Sequence, residues 1–346
     1  MKNASSQLRI LVLSDDLPGH LGQSQGLVKW LGERYSTVSN DLPVRLRFKP
    51  LARLILPYLV RVRCLTPLVL KFYRGIPEAI PKADLIVSAG GATSYLNVAL
   101  AQRWGAPNIF LGSKRRLRSN DFVAHLTLEP TGEPHNIVMI LAPTLIDPHQ
   151  LQRKGYELRL SLGLNTDEKL NMLAIGGDGA GYRYDSTSVK QLVQLMEQEY
   201  QHTGKRWLLT TSRRTGAALE QQLRQSIPAE LLADAVWWSE APRKVMAAYM
   251  GAADQLFITA DSMSMIAEAI SSTRPTVVLQ PEKAQPEHRY RDTLQRYDRL
   301  GLCRLAELGK PLPSSPSGSA AVKEAREALL DQLAAQLDLS HFQRLN

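Results

Sequence analysis

The chain has 346 residues, of which 44% are hydrophobic and 22% charged, and its formal net charge is +9. This composition excludes a disordered, fibrous or membrane-spanning protein, and the length favours two domains of about 150 residues each. The positive charge favours anionic partners, namely nucleotide phosphates, anionic lipid, phosphorylated glycolipid or nucleic acid, and does not choose among them.

Three features bear on the compartment. The apolar run near the N-terminus meets Asp15 and Asp16, so we interpret it as a strand and not as a signal peptide. Only two cysteines occur, far apart in the sequence, so neither a disulfide framework nor a thiolate metal cluster is predicted. Residues 51–70 are apolar but contain three arginines and two prolines, which argues against a spanning helix and leaves contact with a membrane surface open. We therefore predict a cytoplasmic protein, with the inner face of the plasma membrane as an alternative place.

Short apolar runs alternate with helical patterns, as in parallel sheets with crossover helices. In the first half we predict strands at 8–14, 44–48, 84–88, 108–111 and 137–141, with helices at 23–34 and 94–104. In the second half we predict strands at 171–175, 206–211, 235–238, 255–258 and 276–279, with helices after Asp185, Thr215, Pro242 and Met263. A further helix is predicted at 320–337, after a break rich in Pro, Ser and Gly.

These elements predict an α/β fold of two facing Rossmann-like domains with parallel sheets and a C-terminal helix. The proline-bearing segment 142–165 is the predicted boundary. Residues 1–150 would form an acceptor-side domain. Residues 151–346 would form a nucleotide-binding donor domain that includes the terminal helix.

The first strand runs into SDDLPGHLGQSQGL, a glycine-bearing turn that opens a helix. Ligands of open parallel sheets bind at the carboxyl ends of strands, so Gly19 and Gln23 are candidate acceptor-side residues. His20 is a candidate base or donor, and Asp15 or Asp16 a candidate base; we choose His20 and Asp16 as catalytic candidates, either of which would accept the proton of the acceptor. A plain strand-to-helix turn with solvated aspartates remains the alternative.

Two later segments contain further acceptor-side candidates, and the first of them is predicted to line the same edge. The first, DLIVSAGGATSYLNVAL, is again an apolar strand followed by a glycine-bearing turn that opens a helix. Gly91 and Thr93 in this turn are therefore acceptor-side candidates. GSKRRLRSND places Lys114 and Arg115 just after another strand, where a basic loop could bind an acidic acceptor or a phosphate. A solvated run of charges explains the second segment equally well.

In the second half, LAIGGDGAGYRY follows a strand. Gly176, Gly177 and Gly179 would let the backbone approach a phosphate or a base closely. The next strand ends in TTSRRTG, which offers Ser212 and two arginines for a diphosphate. We choose Arg213 because it is nearer to the strand end.

The most specific segment is FITADSMSMIAEAISSTRPTVVL, which reads as strand, turn, helix and strand. The helix N-terminus offers free N–H groups and the hydroxyls of Ser262 and Ser264 to phosphate oxygens. Glu268, one turn further on, can accept two hydrogen bonds from a ribose diol. Helix capping alone would need only one serine.

Taken in order, these segments resemble the mitochondrial-fission Elm-one family, the bacterial relatives of the plant elongated-mitochondria protein. The resemblance covers roughly residues 8–300. That family is itself similar to GT-B enzymes such as the lipid-linked N-acetylglucosaminyltransferase of peptidoglycan synthesis and the lipid A disaccharide synthase.

The resemblance implies roles for individual residues. The serine-rich turn and helical glutamate that hold the donor nucleotide in those enzymes map onto Ser262, Ser264 and Glu268, and their GG-containing loop maps onto Gly176 and Gly177, with Gly179. The glycine–glycine–histidine turn of the peptidoglycan enzyme is matched only loosely, by Pro18, Gly19 and His20.

The leading hypothesis is a GT-B glycosyltransferase of the hexosyl- or N-acetylhexosaminyl-transfer class. It would use a nucleotide-sugar as substrate, need no cofactor or metal, and act on a lipid-linked or anionic saccharide acceptor of a bacterial envelope. The leucine- and arginine-rich stretch 44–74 would give a peripheral membrane contact, although a buried helix pair explains it equally well. The alternatives are a nucleotide-sugar epimerase or hydrolase, and a non-catalytic, membrane-associated scaffold. No recognised nucleic-acid reader motif occurs, so no nucleic-acid partner is predicted.

Overall fold

The computed structural model describes residues 7–165, 167–314, 319–339 and 342–345. The chain divides into two compact units. The first contains the chain up to Leu145 together with Glu324–Asn346, and the second contains Ile146–Lys323.

The first unit is built on a parallel sheet that contains, within the described residues, six strands. These are β1 (Leu8–Ser14), β2 (Thr37–Pro43), β5 (Leu85–Ala89), β6 (Asn108–Leu111), β7 (Ala124–Thr127) and β8 (Asn136–Val138). Their order in the sheet is β2-β1-β5-β6-β7-β8. A separate antiparallel pair joins β3 (Arg45–Leu46) to β4 (Tyr73–Arg74). The order reverses at β1, because the chain goes first to β2 on one side and then to β5 on the other.

Helices cover both faces of this sheet. They are α1 (Pro18–Gly32), α2 (Lys49–Leu59), α3 (Thr66–Leu70), α4 (Ser94–Trp104) and α11 (Ser319–Gln336), of which α11 begins in the second unit. Along β1 the side chains alternate between two cores, as the two-residue period of a strand requires. Ile10 and Val12 pack in one core with α1 and α11, whereas Leu11 and Leu13 pack in the other with α2 and α4.

The second unit has a parallel sheet of its own, again six strands among the described residues. These are β9 (Leu170–Ile175), β10 (Arg206–Thr211), β11 (Leu232–Val236), β12 (Gln255–Thr259), β13 (Thr276–Gln280) and β14 (Arg304–Glu307). The sheet order β11-β10-β9-β12-β13-β14 is that of a Rossmann fold, with the reversal between β9 and β12.

The helices of the second unit are α5 (Pro148–Ser161), α6 (Ser186–Thr203), α7 (Ala217–Ser226), α8 (Met246–Ala252), α9 (Met263–Ser271) and α10 (His288–Arg299). Short 3-10 helices lie at Arg63–Leu65, Ser119–Asp121 and Ala229–Leu231. Helix α6 begins where the side chain of Asp185 accepts a hydrogen bond from the Ser188 N–H, and it ends at Gly204 in the left-handed conformation. None of the helices among the described residues has both the length and the apolar composition that are required to cross a bilayer.

The predicted α/β fold of two Rossmann-like domains with parallel sheets is confirmed, but some of its elements differ from the prediction. The strand predicted at 44–48 is wrong, because the sheet strand is β2 at Thr37–Pro43 and residues 45–46 join the small antiparallel pair. Strands β7 and β14 and helices α5 and α10 were not predicted.

The C-terminal segment also differs from the sequence-based division, which assigned it to the second domain. Leu329, Leu330 and Leu333 of α11 are buried in the core of the first unit. The side chain of Arg34 donates hydrogen bonds to Glu327 and, at 2.6 Å, to Asp331. The physical reason is that α11 has an apolar face that completes the layer beside α1.

Substitution of Leu333 tests this arrangement. Leu333→Ala removes a fully buried side chain and should lower the free energy of unfolding by about 2–5 kcal/mol. Hydrogen–deuterium exchange should quicken in β1 and α1 while β9 and β10 keep their protection. The exposed neighbour is the control: Gln332→Ala should leave both measurements unchanged. Faster exchange in β9 instead would place the helix with the second unit.

Candidate functional site

The reversal of strand order in the second unit brings two turns together, those that follow β9 and β12. Open parallel sheets bind ligands at the carboxyl ends of strands at such a reversal. The turn after β9 contains Gly176, Gly177 and Gly179, and the turn after β12 contains Asp261 and Ser262. The predicted nucleotide-binding segments therefore converge at one edge of this sheet.

The glycines are required for this convergence. A Cβ on Gly176 would overlap the carboxylate of Asp261, and one on Gly177, where φ is 106°, would overlap the backbone of Arg214. The backbone N–H of Gly176 donates a hydrogen bond of 2.7 Å to the hydroxyl of Thr259. The Thr259 hydroxyl in turn donates to Asp261 at 2.6 Å. A larger residue in the glycine turn would push the turns apart.

Asp261 is the electrostatic centre of this site. Its side chain is fully buried, and the guanidinium of Arg214 contacts it with an Nη2–Oδ2 distance of 2.5 Å. Burial raises the pKa of Asp261 to about 6, while the hydrogen bond from Thr259 and the charge of Arg214 act in the opposite direction. Arg214 also reaches across Gly179, where a Cβ would overlap its Nη1 atom.

Helix α9 presents its N-terminus at the same edge. Its N-cap residue, Ser262, makes no capping hydrogen bond with its side chain, and the Ser262 and Ser264 hydroxyls lie 3.3 Å apart. The first N–H groups of the helix are therefore not satisfied by this cap. An anion at this position would accept hydrogen bonds from them.

Glu268 lies on α9 four residues after Ser264 and so shares its face of the helix. The carboxylate has no hydrogen-bond or ion-pair partner among the residues that the structure describes, and burial alone raises the pKa of Glu268. A half-buried carboxylate with both oxygens unpaired can accept two hydrogen bonds from a ligand.

Ser212 and Arg213, which were also predicted to bind the nucleotide, lie in surroundings that differ from those expected. Arg213 is exposed, and Arg214 is the arginine that the turn brings to Asp261. The hydroxyl of Ser212 donates to the carbonyl of Gly176 and accepts from the Arg214 N–H at 3.1 Å. Ser212 therefore joins the turns to each other. Arg214, the neighbour of the predicted Arg213, is the arginine that contacts Asp261, and a ligand contact of Arg213 stays a prediction.

The first unit has its own reversal, between β1 and β5. His20 Nδ1 lies 3.1 and 3.0 Å from the two carboxylate oxygens of Asp15. Asp15 is 10% exposed and His20 38%, so the pair is open to a ligand on the histidine side. Gly90, after β5, has φ of 85°, and a Cβ there would overlap the imidazole.

Asp16, the other predicted catalytic residue, is directed elsewhere. It has the left-handed φ of 62°, and its carboxylate accepts a hydrogen bond of 3.1 Å from Arg45. The carboxylate that contacts His20 is thus that of Asp15, and a catalytic role of Asp16 stays a prediction.

Asp15 also lines a cavity of about 640 Å³ in the first unit. Its lining contains two acidic residues, Asp15 and Asp16, and four basic ones, so its net charge is positive; the basic residues are Arg45, Arg47, Lys49 and Arg74. An anionic molecule that fits here would lie beside Asp15 and Asp16.

The other acceptor-side candidates divide into two groups. Gly19 and Gln23 lie in the first turns of α1 beside His20, with Gly19 exposed and Gln23 half-buried. Thr93 and Lys114 are held by the protein itself: the Thr93 hydroxyl donates to the carbonyls of Ala89 and Gly90, and Lys114 lies 2.9 Å from Glu133.

Gly91 and Arg115 form the remaining pair. Arg115 packs its side chain against Gly91, where a Cβ would overlap the guanidinium. The basic loop after β6 thus reaches the glycine turn after β5.

Sequence reasoning missed Thr259 and Tyr184. Tyr184 is buried; its hydroxyl donates to the Leu279 carbonyl at 2.9 Å and accepts from the Ala260 N–H at 2.8 Å, which fastens the glycine turn to β12 and β13. The run of Tyr182 and Tyr184 after the glycines was the available signal. Within the described ranges, no group of three or more His, Cys, Asp or Glu side chains could hold a metal ion; independence of metal stays a prediction.

Comparison with known proteins gives the following. Residues 18–332 match the family described as Mitochondrial fission ELM1. No curated protein matches the sequence significantly.

Among solved structures, the chain resembles UDP-GlcNAc 2-epimerase from Methanocaldococcus jannaschii, with 12% identity, a TM-score of 0.51 and coverage of 95% of this chain and 100% of that one. It also resembles ADP-heptose lps heptosyltransferase II of E. coli, with 12% identity, a TM-score of 0.47 and coverage of 95% and 98%. A family 9 glycosyl transferase of Veillonella parvula has 14% identity, a TM-score of 0.48 and coverage of 94% and 98%. The chain has a GT-B-like fold.

The raised pKa of Asp261 predicts a pH dependence of stability. The folded-state pKa of about 6 exceeds the ordinary value of 3.8, so the contribution of Asp261 is present below about pH 4 and is lost as the pH rises through 6. Asp261→Asn removes this loss. The stability of the variant relative to wild type should therefore rise between pH 4 and pH 7, by on the order of 1.4 kcal/mol for each unit of pKa shift.

Urea unfolding at a series of pH values measures this difference. Glu157→Gln removes an exposed carboxylate of α5 and is the control, with a constant difference expected over the same range. A constant difference for Asp261→Asn as well would show that Asp261 ionises normally.

Proposed function

The chain belongs to the mitochondrial fission ELM1 family, and from this family and the two candidate sites we propose that it is a glycosyltransferase. It transfers a hexosyl or N-acetylhexosaminyl group from a nucleotide-sugar to an anionic or lipid-linked saccharide acceptor. The proposed location is the cytoplasm, at the inner face of a bacterial plasma membrane.

The observation that carries the proposal is the unpaired carboxylate of Glu268. Burial costs this group free energy that nothing else among the described residues offsets. A ribose diol would donate two hydrogen bonds to its two oxygens. The glycine turn after β9 would leave room for the base beside it.

The diphosphate of the donor is proposed to lie at the N-terminus of α9. Unsatisfied N–H groups there, with the hydroxyls of Ser262 and Ser264, suit phosphate oxygens. Arg214 adds a fixed positive charge close to them, held in place by Asp261. These groups would stabilise the negative charge that develops when the bond between the sugar and the diphosphate breaks.

The acceptor is proposed to bind the first unit. A proton on His20 Nδ1, directed to Asp15, leaves Nε2 free to take the proton of the acceptor hydroxyl. The acceptor oxygen then attacks the sugar carbon that the diphosphate leaves. The basic cavity beside Asp15 supports an acceptor with negative charge.

A row of exposed apolar side chains supports the proposed contact with a membrane. Phe48, Leu51, Leu54 and Tyr58 are spaced at helical intervals at and along α2, and all are more than 45% exposed. Basic residues flank them, including Lys49 and those of the cavity. An apolar helix face bordered by positive charge suits the surface of an anionic bilayer.

The donor site is tested by a thermal-shift screen against uridine, guanosine, cytidine and adenosine diphosphates and their sugar conjugates, because a ligand of the native state raises the melting temperature. One nucleotide should bind selectively. Glu268→Ala should weaken its binding by about 1–3 kcal/mol. Arg214→Lys should also weaken it, since the lysine keeps the charge beside Asp261 but loses the planar donor geometry.

The matched control is Arg213→Lys, one residue away and exposed, which should bind the nucleotide as the wild type does. If Glu268→Ala and Arg214→Lys both bind the nucleotide with unchanged affinity, the nucleotide does not bind at this edge of the sheet. Absence of any shift at millimolar nucleotide would favour a non-catalytic scaffold.

The catalytic pair is tested by turnover of the selected nucleotide-sugar. Asp15→Asn and His20→Ala should lower kcat by about 10²–10⁴-fold, the usual contribution of a general base. Donor affinity should stay close to wild type, because neither residue belongs to the donor site. Asp16→Asn is the matched comparison and should retain most of kcat, since Asp16 contacts Arg45 and not His20, although its place in the cavity wall should change the KM for an anionic acceptor.

Equal losses in Asp15→Asn and Asp16→Asn would contradict the assigned pair. If the protein releases the nucleotide at the full rate without any acceptor, its reaction is epimerisation or hydrolysis and not transfer.

A further inference from the structure

A second cavity of the first unit, of about 420 Å³, is not used by the proposed reaction. Three arginines line it together with a tyrosine and two residues of the first turns of α2. The lining residues are Pro50, Arg53, Leu54, Tyr95, Arg115 and Arg116. Segments far apart in the sequence, from α2, α4 and the loop after β6, thus place three positive charges around one cavity.

The three arginines have no acidic partner. In the described part of the chain, neither an ion pair nor a hydrogen bond occupies the side chains of Arg53, Arg115 and Arg116. Other arginines of the protein are paired, for example Arg9 with Asp84 at 2.7 Å and Arg206 with Glu168 at 2.6 Å. Three like charges without a counter-charge repel one another, so the arrangement favours an anion from outside the protein.

Tyr95 gives an independent sign of a missing ligand. It is 1% exposed, and its hydroxyl has no hydrogen-bond partner within the residues that the structure describes. Burial raises the pKa of Tyr95, while the charges of Arg115, Arg53 and Arg116 oppose that rise. The hydroxyl therefore lies within the electrostatic range of all three guanidinium groups. A buried hydroxyl without a partner lowers stability, and a ligand oxygen would supply the missing hydrogen bond.

The backbone holds Arg115 in place. Its φ is 61°, a left-handed conformation that is unfavourable for arginine, and its side chain lies on the bare Cα of Gly91. Glycine at 91 is thus needed for the arginine to reach the cavity.

We propose that this cavity binds a phosphate group, as a monoester or a diphosphate. Guanidinium groups match phosphate oxygens in geometry and charge, and the Tyr95 hydroxyl supplies one further donor. The proposal goes beyond the transfer reaction, because phosphate binding here requires neither donor nor turnover. Leu54, in the cavity wall, also belongs to the exposed apolar row of α2. The phosphate can therefore come from a lipid headgroup or from a soluble phosphate ester, and the experiment distinguishes these sources.

The soluble source is tested by titration calorimetry with inorganic pyrophosphate, in an Arg214→Lys background that weakens the donor site. Pyrophosphate should bind, and the double variant Arg53→Gln/Arg116→Gln should weaken binding at least about tenfold. Tyr95→Phe should weaken it in the same direction while the melting temperature without ligand stays equal or rises, because the lost hydroxyl has no protein partner. Arg103→Gln, an exposed arginine at the other end of α4, is the control and should bind normally.

The lipid source is tested by co-sedimentation with phosphatidylcholine vesicles that contain phosphatidic acid, whose headgroup is a phosphate monoester, or phosphatidylglycerol, a diester. Preference for phosphatidic acid that is lost in Arg53→Gln/Arg116→Gln and in Tyr95→Phe supports a lipid headgroup; pyrophosphate binding alone supports a soluble ester.

Three results would overturn the proposal. The first is no binding of either probe, and the second is equal binding by the wild type and both variants. The third is a loss of stability in Tyr95→Phe without any loss of affinity, because the hydroxyl would then serve the fold. None of these readouts uses a nucleotide-sugar, so failure here leaves the proposed transferase activity untouched.

Discussion

The parallel direction of all paired strands in each six-stranded sheet is the constraint on which the rest of the molecule depends. It puts every strand-to-helix turn at the same edge of its sheet. In each sheet the first strand of the unit lies inside the sheet, and the chain continues to both sides of it, so the turns at the reversal belong to segments distant in sequence. Asp15 meets Gly90 in the first unit, and Gly176 meets Asp261 in the second. Both candidate sites follow from this one topological feature.

The buried charge of Asp261 then fixes the second site. A carboxylate in that position costs desolvation energy, as its raised pKa reports, and removing its partner would leave the charge unpaired. Thr259, Arg214 and the Gly176 N–H are connected through it. The network holds three turns in fixed relation and directs one arginine toward α9. Such rigidity is what a site that stabilises a developing charge requires, because its dipoles are then oriented before the ligand arrives.

The sequence predicts the apolar strands well and the choices within turns poorly. Strands at 8–14, 108–111 and 206–211 are found at the predicted bounds because continuous apolar runs are typical of strands buried on both faces. Strand β2 was placed wrongly because it is a polar edge strand in which only Leu42 is buried. Asp15 and Asp16, and likewise Arg213 and Arg214, are neighbours of one residue type. The side chains of two such neighbours point in different directions because their backbone conformations differ, as the φ of 62° at Asp16 shows. The residue type alone does not predict that conformation. The place of α11 could not be predicted either, because its packing partner α1 is distant in the sequence.

The two units differ in how they carry unpaired charge. In the second unit, Glu268 of α9 is a half-buried carboxylate without a partner among the described residues. In the first unit, Arg53, Arg115 and Arg116 line one cavity without an acidic partner in the described part of the chain. Unpaired charge in a partly buried place lowers the stability of the free protein, and any ligand that neutralises it binds the native state alone. Ligand binding and folding stability are therefore coupled at each site. The net charge of +9 adds a general attraction for anions. A chain selected only for stability would have paired these groups, as it pairs Arg9 with Asp84, and their persistence without partners is the strongest physical argument that the molecule binds anionic ligands.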